Sequence, residues 1–139
     1  MTMLKPQEGA IPLPQPSVLS EPYWDGCRRG ELLFKRCNVC LGTTAAPSLI
    51  CSHCTSELIQ WEKSSGFGTI YSWTTVWRPQ TPEFTVPYVA VIAMMDEGWP
   101  LLSNLIDCDH DVVTIGMRVR ARFHQVSGST IVLPYLAPA

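Results

Sequence analysis

Two cysteine pairs constrain this chain more than any other feature. Cys37-x2-Cys40 is followed after ten residues by Cys51-x2-Cys54. A CxxC pair closes a tight knuckle whose two sulfurs converge, and two knuckles from neighbouring hairpins complete a tetrahedron around one metal ion. Four protein thiolates fill the coordination shell, so such a site is structural rather than catalytic. Zinc is the expected ion; iron uses the same four ligands in rubredoxin-like sites, and the spacing alone does not separate them. Ion binding of this kind contributes on the order of 10–16 kcal/mol in small zinc modules, which offsets the thin apolar content of residues 31–60. A redox reading of the CxxC pairs needs a βαβ setting, which the sequence lacks. His53, inside the second pair, is surplus to the shell and is expected on the surface. Cys27 and Cys108 have no activating His or Lys beside them and read as inert thiols.

The rest of the chain divides around this motif. Residues 1–19 carry Pro6, Pro12, Pro14 and Pro16 and read as an extended or mobile arm. Residues 20–30 predict a short helix, with Ser20 as N-cap and Gly30 as stop. Tyr23, Trp24 and Cys27 share one face of it. A helix so short must dock, internally or on another protein. Residues 31–63 form the expected zinc ribbon, entered by a strand over Glu31–Arg36. From residue 64 the pattern turns to β. Phe67–Trp77 predicts a strand with Thr69, Tyr71, Trp73, Thr75 and Trp77 on one face and Ile70, Ser72, Thr74 and Val76 on the other. Further strands are expected over Tyr88–Met95, Trp99–Ile106, Met117–Val126 and Thr130–Leu136. Five short strands in about 70 residues suggest a closed five-stranded barrel of the OB type over residues 64–139.

Charge narrows the partners. The chain has 139 residues and a net charge of −2, which gives no bulk attraction for nucleic acid. It has no apolar run long enough to span a membrane and no secretory leader pattern, so a reducing cytoplasm is expected. Cations are nonetheless clustered: Arg28 and Arg29 with Lys35 and Arg36, and Arg118, Arg120 and Arg122 on one strand face. Such clusters fit a solvated face or an anion contact. Tyr71, Trp73 and Trp77 fit barrel core for at least one or two of them, a protein interface, or stacking on single-stranded nucleic acid. Asp107–Asp111 reads as a loop capping a helix before Val112. With three histidines and no nucleophile elbow, P-loop or GxGxxG fingerprint, no catalytic set is apparent.

The ordered set of short motifs resembles one family. These are Tyr23–Trp24–Asp25–Gly26, Arg28–Arg29–Gly30–Glu31–Leu32, the Arg36–Cys37 to Cys54 ribbon with Pro47, then Leu58, Trp61 and Ser65–Gly66–Phe67–Gly68–Thr69–Ile70–Tyr71–Ser72–Trp73–Thr74. Pro87–Tyr88–Val89, Asp96–Glu97–Gly98 and Ile115–Gly116–Met117 follow. Together, over about Glu21–Pro138, they resemble the acyl-CoA-associated proteins with a zinc ribbon and an OB-fold, long known as a domain of unknown function. Leu41, Ser48 and Ser52 depart from the family's usual Gly, Arg and Pro. The resemblance implies an N-terminal helix, a rubredoxin-like zinc ribbon and a C-terminal OB-fold. It also implies a non-catalytic subunit of a thiolase-like homodimer, two copies of each chain, whose partner is a thiolase, acyltransferase or retro-aldol lyase; some relatives accompany enoyl-CoA hydratases. On that reading Arg28, Arg29, Arg118, Arg120 and Arg122 are candidate contacts to acyl-CoA, and Tyr23, Trp24, Trp73 and Trp77 are candidate partner contacts. A single-stranded nucleic-acid module is the rival class.

Overall fold

The computed structural model describes residues 2–139. One helix, α1 (Glu21–Arg28), precedes eight strands: β1 (Leu33–Cys37), β2 (Thr43–Thr44), β3 (Ile59–Lys63), β4 (Phe67–Val76), β5 (Tyr88–Met95), β6 (Pro100–Leu105), β7 (Arg118–Gln125) and β8 (Val132–Pro138). The first three form an antiparallel ribbon in the order β2-β1-β3, and the other five close a barrel in the order β4-β5-β6-β8-β7. β7 returns to β4 through Phe67–Arg120, Gly68–Val119 and Thr69–Arg118, while β6 and β8 meet in parallel at Leu105 and Leu136. The mainly β architecture, the ribbon and the five-stranded barrel are those the sequence predicts.

Helix α1 ends as its sequence dictates. Gly30 takes φ +76°, the Glu31 N–H donates to Gly26 O at 2.8 Å and the Gly30 N–H to Cys27 O at 3.0 Å. These two bonds form a Schellman stop, which glycine permits because it lacks a Cβ. The start differs from expectation. Ser20 has helical backbone angles and makes no side-chain cap. Its hydroxyl instead accepts the Ser17 N–H at 2.9 Å, so the turn before the helix competes for it.

Ribbon and barrel share one interior. Leu32 and Phe34 belong to the same buried cluster as Ile70, Val89, Val91, Met95, Leu105 and Val119. Phe34, fully buried, stacks on Trp99 at 5.5 Å between centroids and 16° between planes. Trp99 was expected to open the third barrel strand; it lies instead in the turn ahead of β6, with its side chain 1% exposed. Its indole N–H donates to Glu97 Oε1 at 3.1 Å. Glu97 also accepts the Ser64 hydroxyl and the Ser65 N–H, both at 2.7 Å, and so ties the ribbon–barrel linker to the β5–β6 turn. Partial burial opposes its ionisation, but these donors outweigh it and hold the carboxyl below its ordinary 4.5. A carboxylate depressed on folding contributes stability that is present above 4.5 and is lost as the pH falls through the folded value. Urea midpoints measured from pH 7 to pH 3 are expected to fall in that acid window, and Glu97→Gln to flatten the fall at a cost of about 1 kcal/mol at pH 7. An unchanged acid slope in the variant would contradict this.

Strand β4 departs from simple alternation. Its pairing with β5 runs Ile70↔Ala93 and then Ser72↔Ile92, leaving Tyr71 as the extra residue of a β-bulge. Trp73 and Thr75 therefore pair with the inward residues Val91 and Val89 and fall on the same side as Ile70, not with Thr69 as expected. The bulged strand nevertheless carries its aromatics out of the core, Tyr71 being 66% exposed and Trp73 39%, and Trp77 in the loop just after it is 61% exposed. The expectation that one or two of them fill the barrel is corrected; Ile70, Val89, Val91, Leu105, Val119 and Leu136 lie in that core, in one cluster with Phe34 and Trp99. The Asp107–Asp111 segment is a loop with no helix after it. Asp107, at φ +65°, forms an ion pair with Arg122.

Residues 2–16 run extended across the barrel. The Leu4 N–H donates to Cys108 O at 2.8 Å and its carbonyl accepts the Asp107 N–H at 2.9 Å. The Gln7 amide exchanges two bonds with the Thr85 backbone, at 2.8 and 3.0 Å. Glu8 lies 3.0 Å from His124 Nε2.

Candidate functional site

The four cysteines converge as their spacing requires. β1 ends on Cys37, the turn to β2 supplies Cys40, and the loop between β2 and β3 supplies Cys51 and Cys54. All four Sγ atoms lie within 4.8 Å of one another, with Cys37–Cys54 and Cys40–Cys51 both at 3.6 Å. A disulfide would need about 2.05 Å. A tetrahedron with Zn–S bonds of about 2.3 Å sets its sulfurs about 3.8 Å apart, so the cluster has the dimensions of a tetrathiolate zinc site. Backbone N–H groups point at the sulfurs: Val39 and Cys40 at Cys37 Sγ (3.3 and 3.5 Å), Gly42 at Cys40 Sγ (3.4 Å), His53 at Cys51 Sγ (3.3 Å).

These donors favour thiolate. The N–H groups of Cys54 and His53 pull Cys51 down to about 6, and those of Cys40 and Val39 lower Cys37. Cys40 has the Gly42 N–H in its favour, yet burial and the crowding of neighbouring sulfurs push it up to about 11. Four thiolates this close cannot all carry charge unless a cation sits among them. A divalent ion resolves the conflict, and its four protein sulfurs leave no ligand position for water. His53 is exposed and its Nε2 meets Thr43 O at 2.9 Å, outside the sulfur shell. Leu41 follows the second cysteine at φ +62°, a conformation that glycine reaches without strain.

The predicted cations are not equivalent. Arg28 pairs with Asp25, and Arg29 with Glu31 at 3.5 Å. Arg118 donates from two nitrogens to the Asp96 carboxylate at 2.7 and 3.0 Å, which holds Asp96 below the usual carboxylate range. Arg122 pairs with Asp107. Arg120, between them on β7, has neither an ion pair nor a side-chain hydrogen bond among the described residues.

The helix face divides. Tyr23 packs on the barrel cluster and Cys27 is buried. Burial raises the Tyr23 hydroxyl above its ordinary range and pushes the Cys27 thiol up to about 12, so neither ionises near neutrality. Trp24 stands edge-on to Tyr23 at 5.1 Å. Two adjoining apolar grooves, of about 350 and 240 Å³, share Tyr23, Trp24 and Leu102; Pro47 lines the first and Phe84 and Leu133 the second. Leu102 is exposed on β6. Sequence reading passed over it because one apolar residue in an apolar strand carries no signal of which face it takes. Trp77 lies in the loop after β4, 4.9 Å from His110.

A four-cysteine ribbon fused through a shared core to a five-stranded OB-type barrel defines the class of protein. Residues 61–124 match the family model described as "ChsH2, C-terminal OB-fold domain". A "DUF35 domain-containing scaffold protein" of Methanothermobacter thermautotrophicus is 35% identical over 103 residues, which are 71% of this chain and 76% of the relative. The chain belongs to the DUF35 family. A "Probable enoyl-CoA hydratase alpha subunit" of Thermomonospora curvata is 28% identical over 130 residues. That alignment takes in 91% of this chain but only 40% of the relative, so the chain spans less than half of it. Among solved structures, a chain of the "Ltp2-ChsH2(DUF35) aldolase" superposes with a TM-score of 0.80 at 26% identity, over 91% of this chain and 98% of that one.

Proposed function

We propose that this chain is a non-catalytic subunit of an acyl-CoA-processing complex, bracing a thiolase-superfamily partner and helping to enclose the CoA thioester. The observation that carries the reading is the near-complete superposition, over 91% of this chain and 98% of the other, on a chain of the "Ltp2-ChsH2(DUF35) aldolase". The metal site supports it, because four sulfur ligands make a rigid fold without an open coordination position. In the complex, two copies of this chain flank a partner homodimer in the cytoplasm. The partner holds the reacting groups. This chain's own residues exclude water from the mouth of that site and orient the pantetheine arm, with Arg120 as the unpaired cation open to CoA phosphates and Arg28, Arg29, Arg118 and Arg122 able to reach them by exchanging their present carboxylate partners. Trp24, Trp73 and Trp77, with the outer edge of Tyr23, supply the aromatic contacts. A hydratase partner is the second reading, favoured by the name of the Thermomonospora relative. Nucleic acid is disfavoured, since Arg118 and Arg122 are already neutralised and the net charge is −2.

Tagged chain purified from its native cells is expected to bring down a CoA-ester enzyme in stoichiometric amount. Recovery of the chain alone, or bound to nucleic acid, would overturn the proposal. Trp24→Ala and Trp77→Ala are expected to weaken that association by about tenfold or more each, as truncation of central interface tryptophans does. Unchanged affinity in both variants would move the interface elsewhere.

A further inference from the structure

The geometry points to an anion-binding cleft at the seam of ribbon and barrel, where Lys63 and Arg120 receive the phosphate end of a larger organic ligand. The strand pairings build it. β3 ends at Lys63, the linker Ser64–Gly66 crosses to the barrel, and Arg120 stands opposite Phe67 in the β4–β7 ladder. Between them lies a cavity of about 280 Å³, lined by Lys63, Ser65, Gly66, Phe67, Arg120 and Phe123 among others.

The charge arrangement singles this cleft out. Arg28, Arg29, Arg36, Arg118 and Arg122 each face a carboxylate of this chain. Of the five remaining cations, Lys5, Lys35, Lys63, Arg78 and Arg120, none faces a carboxylate among the described residues, and Lys63 and Arg120 are the two that line one cavity together. Two like charges beside a concave, partly apolar wall repel each other and focus a positive potential into it, which an anion relieves. Glu97 bonds the linker from behind the lining: its oxygens are occupied by donors from Ser64, Ser65 and Trp99, and it does not itself line the cleft. The Ser65 hydroxyl oxygen accepts the Phe67 N–H at 3.2 Å, which leaves its proton free to donate to an oxyanion. Phe67 and Phe123 give the cleft apolar walls suited to the organic part of an ester. The volume decides the extent of the ligand. At the small end of ligand-pocket volumes and open on one side, the cleft has room for a phosphate group and the atoms beside it, with the rest of a larger ligand extending outward. The matching chemistry is a phosphomonoester or diphosphate. Only the assignment of that phosphate to CoA rests on the function proposed above.

The test is calorimetric titration of the full zinc-loaded chain with pyrophosphate, adenosine 3′,5′-bisphosphate and adenosine. Saturable binding of the two phosphate compounds is expected, weakening as salt rises, with adenosine at least tenfold weaker. Lys63→Gln and Arg120→Gln are each expected to weaken bisphosphate binding by tenfold or more, while Arg78→Gln, an exposed cation outside the cleft, changes it less than threefold. Absence of phosphate binding, or equal losses in all three variants, overturns the site. If phosphate does not bind but the Lys63 and Arg120 variants lose the partner, the cleft takes a partner carboxylate and the proposal falls. If phosphate binds and no CoA-ester enzyme is ever recovered, the site stands and the acyl-CoA reading falls.

Discussion

Replacing Cys51 with serine, or stripping the ion with a strong chelator, is expected to melt the ribbon and loosen the barrel with it. Cys51 is fully buried and lies 3.6 Å from Cys40 Sγ. A serine hydroxyl cannot replace a soft thiolate donor at such a site. Structural zinc contributes on the order of 10–16 kcal/mol in small modules, as much as the net stability of about 5–15 kcal/mol of an ordinary domain. The ribbon has little else to hold it, since β2 is two residues long and Val39, Leu41, Leu49, Ile50 and Leu58 are exposed. The loss should not stop at the ribbon. β1 carries Phe34, and Leu32 just ahead of it shares the barrel's core, so freeing β1 uncovers Trp99. Metal analysis is expected to fall from one ion per chain to none. Hydrogen exchange should lose protection throughout residues 33–63, with a smaller loss in β5 and β6, and tryptophan emission should shift to the red. Full protection of the ribbon after metal removal would contradict the whole account.

How much of this was legible beforehand follows from which interactions are local. The sulfur cluster was legible because CxxC pairing is a short-range geometric rule and four ligands suffice to define it. The barrel was legible because period-two patterning and turn residues mark strands without knowledge of their partners. The Schellman stop at Gly30 was legible for the same local reason. What failed was non-local. The bulge at Tyr71 depends on how β4 pairs with β5, and one extra residue reverses the faces assigned to Trp73 and Thr75. Trp99 reads as a strand residue by propensity, yet its place is set by Phe34, far earlier in the chain, and by Glu97. Ser20 is the local exception: it reads as a cap, but Ser17, three residues earlier, takes its hydroxyl. The arginines of β7 look alike in sequence; only the acids brought beside Arg118 and Arg122 by folding distinguish them from Arg120.

Truncating the stacked pair at the seam tests whether ribbon and barrel form one cooperative unit. Phe34→Ala and Trp99→Ala are each expected to cost about 3–5 kcal/mol, the range for removing a fully buried aromatic side chain. For a chain of this length that lowers the melting temperature by roughly 10 °C or more. Both rings lie in one contact, so the double variant should lose less than the sum of the singles, with a coupling of roughly 1 kcal/mol from the stacked geometry. Trp99→Ala removes a further partner, the indole N–H that Glu97 accepts, and is expected to be the more damaging of the two. The decisive comparison is with metal binding. If the shared core couples the modules, Phe34→Ala weakens zinc affinity although Phe34 is not one of the four ligands, because part of the ion's binding free energy must now restore β1 to the barrel. Zinc affinity equal to that of the unaltered chain, alongside a destabilised barrel, would mean that the two modules fold independently and that the seam is mere contact.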